Sequence, residues 1–160
     1  MSNQPYPAPG VVLPNETGKI IDLKNFRPNT IILFFYPRDN TSGCTREAKD
    51  FTENLKLFNK AKVTVIGVSK DSIESHEKFI KKQDLAITLL SDQDGSACED
   101  FGVWKEKSMY GKTYMGIERS TFIINGQGLI IKEWRKVKVN GHVKEVLEVI
   151  ENYQKNGKLL

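Results

Sequence analysis

Thr30 to Tyr36 (TIILFFY) is an unbroken apolar run, the pattern of a strand covered on both faces. Pro37 to Gly43 ends it. From Thr41 or Ser42 the period changes: Ala48, Phe51, Leu55 and Phe58 recur at gaps of three, four and three, which is one face of a helix. Val63 then opens a second buried strand (VTVIGV). Ser72 to Asp84 is again amphipathic, with Ile73, Phe79 and Ile80 inward. Ile87 to Leu90 reads as a short strand, and Gly95 to Phe101 as a short helical stretch. Thr121–Ile124 and Leu129–Trp134 flank Asn125-Gly126-Gln127-Gly128, a hairpin signal. Gly141 to Tyr153 predicts a last helix, with Val143, Val146, Leu147 and Ile150 on one side.

Nearer the start, Asn15 to Lys19 (NETGK) reads as a turn between two short strands. Three of the six prolines lie in residues 1–9, so residues 1–7 read as an extended arm. Residues 154–160 (QKNGKLL) read as a fraying tail. The order strand, helix, strand, helix, hairpin, helix predicts an α/β sandwich. With no repeat and no linker, 160 residues at 39% hydrophobic content suffice for one domain spanning 1–160.

The formal net charge of +4 mildly favours polyanions, but 24 basic residues are scattered among 20 acidic ones. No nucleic-acid motif accompanies them. Lys132, Lys136 and Lys138 read as the solvated face of a strand. No apolar stretch approaches the length of a membrane span, and MSNQPYPAPG has no basic-then-apolar leader pattern. Cys44 and Cys98 cannot make a disulfide framework, which suits a reducing compartment, the cytoplasm. Only His76 and His142 are available to join them, with no close-paired ligand spacing. Each histidine reads as a solvated helix residue, and neither a metal nor another cofactor is expected.

Cys44 is the chemical candidate. It follows a buried strand and falls in the first turn of the next helix, where open α/β sheets place ligands. Unpaired N–H groups at a helix N-terminus favour an anion, and the thiolate is the nucleophilic form of cysteine. The alternative is a small core residue. Its neighbours Asp39 to Gly43, Thr45 and Arg46 are polar or small, which favours the reactive reading. Thr41 stands three residues earlier, placed to cap the helix through its hydroxyl and to hydrogen-bond a bound oxygen.

Pro37-Arg38-Asp39-Asn40-Thr41-Ser42-Gly43-Cys44 resembles the Pro-x-x-x-Thr/Ser-x-x-Cys motif of peroxiredoxins. FFYPRDNTSGCTREA (34–48), VIGVSKDS (65–72) and the block from Thr88 to Ile124 resemble one branch, peroxiredoxin Q or bacterioferritin comigratory protein. The similarity runs from about Ala8 to Ile150. It implies a thioredoxin-like three-layer sandwich with a central mixed sheet and an N-terminal hairpin. It also implies an antioxidant peroxidase that reduces hydrogen peroxide and organic hydroperoxides through a sulfenic acid on Cys44.

By the same resemblance, Pro37 and Thr41 shield and hydrogen-bond that cysteine, and Arg119 (GIERSTF) sits beside the thiolate. Glu47 either orients Arg119 or extends the helix N-terminal charge pattern. Relatives of this branch are often monomers.

Two departures bear on mechanism. Ser42 stands where many relatives have proline. Lys49 stands where many have a resolving cysteine. Cys98, with Ala97, Phe101 and Val103 around it, is either a packed structural residue or the resolving thiol. The first is the leading reading, so an external thiol (thioredoxin, glutaredoxin or glutathione) is expected to complete the cycle. A disulfide oxidoreductase would want Cys-x-x-Cys, but Thr45, Arg46 and Glu47 follow Cys44. A binding module that had lost activity would not need Pro37, Thr41, Cys44 and Arg119 together.

Overall fold

A computed structural model describes residues 4–156. Its strands are β1 (Tyr6–Pro7), β2 (Val12–Pro14), β3 (Ile20–Asp22), β4 (Thr30–Phe35), β5 (Val63–Ser69), β6 (Thr88–Ser91), β7 (Trp104–Met109), β8 (Lys112–Ile117), β9 (Ser120–Ile124) and β10 (Leu129–Trp134). Its helices are α1 (Ser42–Glu53), α2 (Leu55–Lys60), α3 (Ile73–Gln83), α4 (Ser96–Asp100) and α5 (His142–Asn156). The central sheet runs β1-β10-β9-β4-β5-β6. β4, β5 and β6 are parallel, while β9, β10 and β1 add antiparallel strands. The mixed α/β sandwich expected from the sequence is the fold observed, with the β2–β3 hairpin beside it.

β4 explains both layers at once. Its side chains alternate across the sheet. Ile32, Phe34 and Tyr36 pack with Phe51 of α1, Phe58 of α2, Phe79 of α3 and Val146 of α5. Ile31, Leu33 and Phe35 pack on the other side with Cys98 of α4, Phe101, Val103 and Ile117. Phe51 stacks on Phe34 at 4.6 Å between ring centroids. Truncating so buried a ring costs about 3–5 kcal/mol.

The single helix expected after Thr41 is two. Asn54 leaves helical geometry, its side-chain amide donating to the Asp50 carbonyl and its own carbonyl accepting from Leu57 and Phe58. The apolar face continues across the break.

The arm is not free either. Tyr6–Pro7 pairs with Leu129–Ile130 at the sheet edge, and Tyr6 hydrogen-bonds Glu133. The tail expected to fray begins as helix, with Gln154 donating to the Ala61 carbonyl; residues 157–160 lie outside the described residues, as do 1–3 of the arm. The lysine alternation also fails: β10 stops at Trp134, and Lys136 has left-handed backbone.

Candidate active site

α1 begins at the carboxyl end of β4, at the middle of the sheet, and Cys44 lies in its first turn. The sulfur-bearing residue is only 1% exposed. Arg119, in the short connection between β8 and β9, reaches it from 75 residues away: Nη2 stands 3.3 Å from Cys44 Sγ. The other arm of the guanidinium is fixed, Nη1 donating to Glu47 Oε1 at 2.7 Å. The backbone of Arg119 is held as well, its carbonyl accepting from the Val137 N–H at 2.9 Å.

Glu47 is fully buried, and its second oxygen has no hydrogen-bond partner. Burial, only partly offset by Arg119, pushes its pKa up to about 7. Burial works against the Arg119 charge too, but Glu47 and Cys44 outweigh it and move that pKa up. Arg119 therefore stays cationic beside the sulfur.

Gly43 fits the same geometry. A Cβ there would stand 3.2 Å from Arg119 Nη2 and 3.8 Å from Val139 Cγ2. A side chain at 43 would press on the guanidinium that reaches the sulfur.

Pro37, Arg119 and Val137 line a cleft of about 400 Å³, rimmed by Lys105, Lys107 and Glu118. Arg119 links the cleft to the first turn of α1 through its contact with Cys44. Lys107, on β7, is a second cation in the field of Cys44. Burial lowers its pKa and Arg119 pushes the same way, while Cys44 and Glu118 oppose them. The sequence had not singled it out.

Thr41 is the N-cap residue by position, but its hydroxyl makes no cap bond. It donates instead to the Arg38 carbonyl at 3.2 Å, tying the loop to itself. The hydroxyl cap expected from spacing is therefore absent; Ser72 makes such a bond on α3.

Neither histidine is solvated. His76 is 0% exposed, bound to Asp39 Oδ2 through Nδ1 at 2.7 Å and to the Leu90 carbonyl through Nε2 at 3.0 Å. His142 is buried against Phe51 and Trp134, with Nε2 2.8 Å from the Thr121 hydroxyl. Burial drives its pKa down to about 4. A lone histidine in an amphipathic pattern gives no sign of a partner on another element.

Cys98 packs under the opposite face of the sheet. The Ala97 and Cys98 N–H groups both donate to Asp92, and burial plus that carboxylate push the Cys98 thiol pKa well up. Of the aromatics in 104–114, Trp104 is covered by Lys70 at 4.1 Å, whereas Tyr110 is 97% exposed at the β7–β8 turn.

A cysteine in the first turn of a helix, with a charged donor on its sulfur from an arginine that lines a cleft, is a candidate nucleophile. Residues 6–133 match the AhpC/TSA family. This chain belongs to that family. It is a peroxiredoxin, a thiol-dependent peroxidase. It is 46% identical over 140 residues to a putative peroxiredoxin bcp of Coxiella burnetii, covering 88% of this chain and 93% of that one. Against peroxiredoxin Bcp of Bacillus subtilis it is 46% identical over 145 residues, 91% and 92% of the two chains.

Among solved structures, it superposes on the Xanthomonas campestris bacterioferritin comigratory protein with a TM-score of 0.86. The two are 42% identical, with 90% of this chain and 92% of that one covered. That protein is described as having alkyl peroxide reduction activity, with a trapped intermediate. No helix among the described residues is long and apolar enough to cross a membrane.

Proposed function

We propose that Cys44 is the peroxidatic nucleophile and that Arg119, Thr41 and Pro37 form its immediate setting. The observation that carries this reading is the Arg119 Nη2–Cys44 Sγ contact at 3.3 Å, on a guanidinium already anchored by Glu47. The Cys44 thiolate attacks one peroxide oxygen. An S–O bond forms as the O–O bond breaks, and two electrons pass from sulfur to the peroxide. The leaving oxygen takes a proton and departs as water or an alcohol. Arg119 and the N–H groups of the first α1 turn stabilise the charge that develops on oxygen. Pro37, with no N–H and a place on the cleft wall, limits water near the sulfur. Thr41 supplies a hydroxyl at the helix start.

Cys44 is left as a sulfenic acid. An external thiol condenses with it, releasing water and forming a mixed disulfide, which a second thiol resolves. Thioredoxin, glutaredoxin or glutathione fits that chemistry, and both hydrogen peroxide and organic hydroperoxides fit the open cleft. Two thiols that are both free suit a reducing compartment such as the cytoplasm. The sheet edges favour a monomer. β1 is two residues ending in proline, and at β6 the Leu89 N–H is taken by Glu16 and Leu90 bridges to Asn15.

One equivalent of peroxide, a sulfenic-acid trap and peptide mass mapping test the reading. The trap is expected on Cys44, with Cys98 a free thiol. A Cys44 that stays a free thiol abolishes the assignment.

A further inference from the structure

Asp39 lies midway between Pro37 and Thr41, yet its side chain turns away from the cleft and is 5% exposed. Its carboxylate is the centre of a buried polar cluster under the carboxyl ends of β4, β5 and β6. Oδ1 accepts from the Tyr36 hydroxyl at 2.6 Å. Oδ2 accepts from the Ser75 hydroxyl at 2.8 Å and meets His76 Nδ1 at 2.7 Å. The Asp39 N–H donates to Asp71 Oδ2 at 2.8 Å, and Ser69 donates to that same oxygen at 2.6 Å. The other His76 nitrogen faces the Leu90 carbonyl. Both ring nitrogens are thus engaged by oxygen atoms of buried groups. Asp39, Asp71 and His76 bring ligating atoms within 4.8 Å of one another, but these groups already bind protein partners.

What the cluster fastens is the loop that presents Pro37 and Thr41 to the sulfur. The next residue, Asn40, takes a positive φ of 66°, the left-handed turn conformation that asparagine tolerates better than most non-glycine residues. The Thr41 hydroxyl donates its proton to the Arg38 carbonyl within the loop, leaving its oxygen as an acceptor. Asp39 is therefore the loop's side-chain anchor, its carboxylate held by Tyr36 just past β4 and by Ser75 and His76 of α3, while its N–H reaches Asp71 just past β5.

We propose that Asp39, clasped by Tyr36, Ser75 and His76, is a positioning residue for peroxide attack: it holds the 37–41 loop closed over Cys44 and sets the register of the first α1 turn without touching the sulfur. This rests on Cys44 being the peroxidatic residue. Loosening the clasp acts in opposite directions on two reactions of the same thiol. Attack on peroxide needs the loop, Arg119 and the sulfur in register, and small misplacements cost large factors in rate. Alkylation by iodoacetamide also uses the thiolate but needs no register with the loop, only access to a sulfur that the closed loop buries.

The test compares both rate constants of Cys44 in the full chain, with Cys98→Ser as background, for Asp39→Asn and Ser75→Ala. Asp39→Asn is expected to slow oxidation by hydrogen peroxide roughly ten- to a hundredfold and to speed alkylation. Ser75→Ala removes one donor to Oδ2 and moves both rates the same way by a smaller factor, which keeps the test alive if Asp39→Asn fails to fold. Global unfolding would also expose the sulfur and slow peroxide attack, so rate changes that track the unfolded fraction measured by circular dichroism are a purely structural effect. That outcome, or an unchanged ratio of the two rates in folded variants, overturns the inference. If peroxide leaves Cys44 of the parent protein untouched, the proposed peroxidase course falls, and this inference with it. A normal parent with unaffected variants overturns the inference alone.

Discussion

Cys44 and Cys98 are buried on opposite faces of the central sheet. Cys44 packs with the even-numbered side chains of β4, and Cys98 with the odd-numbered ones. A disulfide needs the two Cα atoms within about 7 Å. No adjustment of the first α1 turn alone carries Cys44 across a sheet. Cys98 is also a poor thiol for the task, since burial and Asp92 disfavour its thiolate.

Cys44→Ser is therefore expected to abolish peroxide turnover, and Cys98→Ser to retain most of it with dithiothreitol as reductant. Non-reducing mass analysis after peroxide should find no Cys44–Cys98 linkage. Equal loss of turnover in two folded variants would return Cys98 to the resolving role.

The Gly43–Arg119 packing gives a graded series. Arg119 Nη1 is tied to Glu47, so the guanidinium cannot retreat freely from a methyl group at 43. Gly43→Ala should slow Cys44 oxidation several-fold. Arg119→Ala removes the donor outright and should slow it on the order of a hundredfold, the scale of losing one preorganised donor. Arg119→Lys should fall between wild type and alanine, since an ammonium keeps the charge and loses the fork that serves Glu47 and the sulfur together. Stopped-flow rates with hydrogen peroxide order the series; an Arg119→Ala rate equal to wild type would remove Arg119 from the chemistry.

These residues differ in how far the sequence exposes them. Cys44 is legible on its own, because a polar stretch after a buried strand is a poor place for a core cysteine. Arg119 is not. Seventy-five residues separate it from the sulfur, and only the resemblance to a family joins them. His76 and His142 are misread for a related reason: helical periodicity says which face is inward, but not that Asp39 or Thr121 waits there.

The β7–β8 hairpin is missed because neither of its faces is fully covered. Lys105, Glu106, Met109, Tyr114 and Met115 are all exposed, so no alternation marks a strand. Its two-residue turn, Tyr110-Gly111, has both φ angles positive, a hairpin geometry that a tyrosine does not announce. β4, β5 and β9, by contrast, are visible as apolar runs, since burial on both faces writes itself into composition, and β10 through the hairpin signal that joins it to β9.

Glu47 and His142 make opposed contributions to stability as pH changes. Glu47 is raised from 4.5 to about 7 in the folded protein. Its contribution is fully present below pH 4.5 and is lost as pH rises through 7. His142 is lowered from 6.5 to about 4. Its contribution is present above pH 6.5 and is lost as pH falls through 4. Each is worth roughly 3 kcal/mol, so in the wild type the two slopes offset each other between pH 4.5 and 6.5.

Single variants should uncover them. Urea unfolding of Glu47→Gln should show stability rising with pH between 4 and 6.5, the His142 slope left alone. His142→Asn should show stability falling between 4.5 and 7, the Glu47 slope left alone. The double variant should be flat in this window apart from the remaining groups. Parallel pH profiles for all four proteins would mean that neither side chain carries the folded-state shift its burial implies.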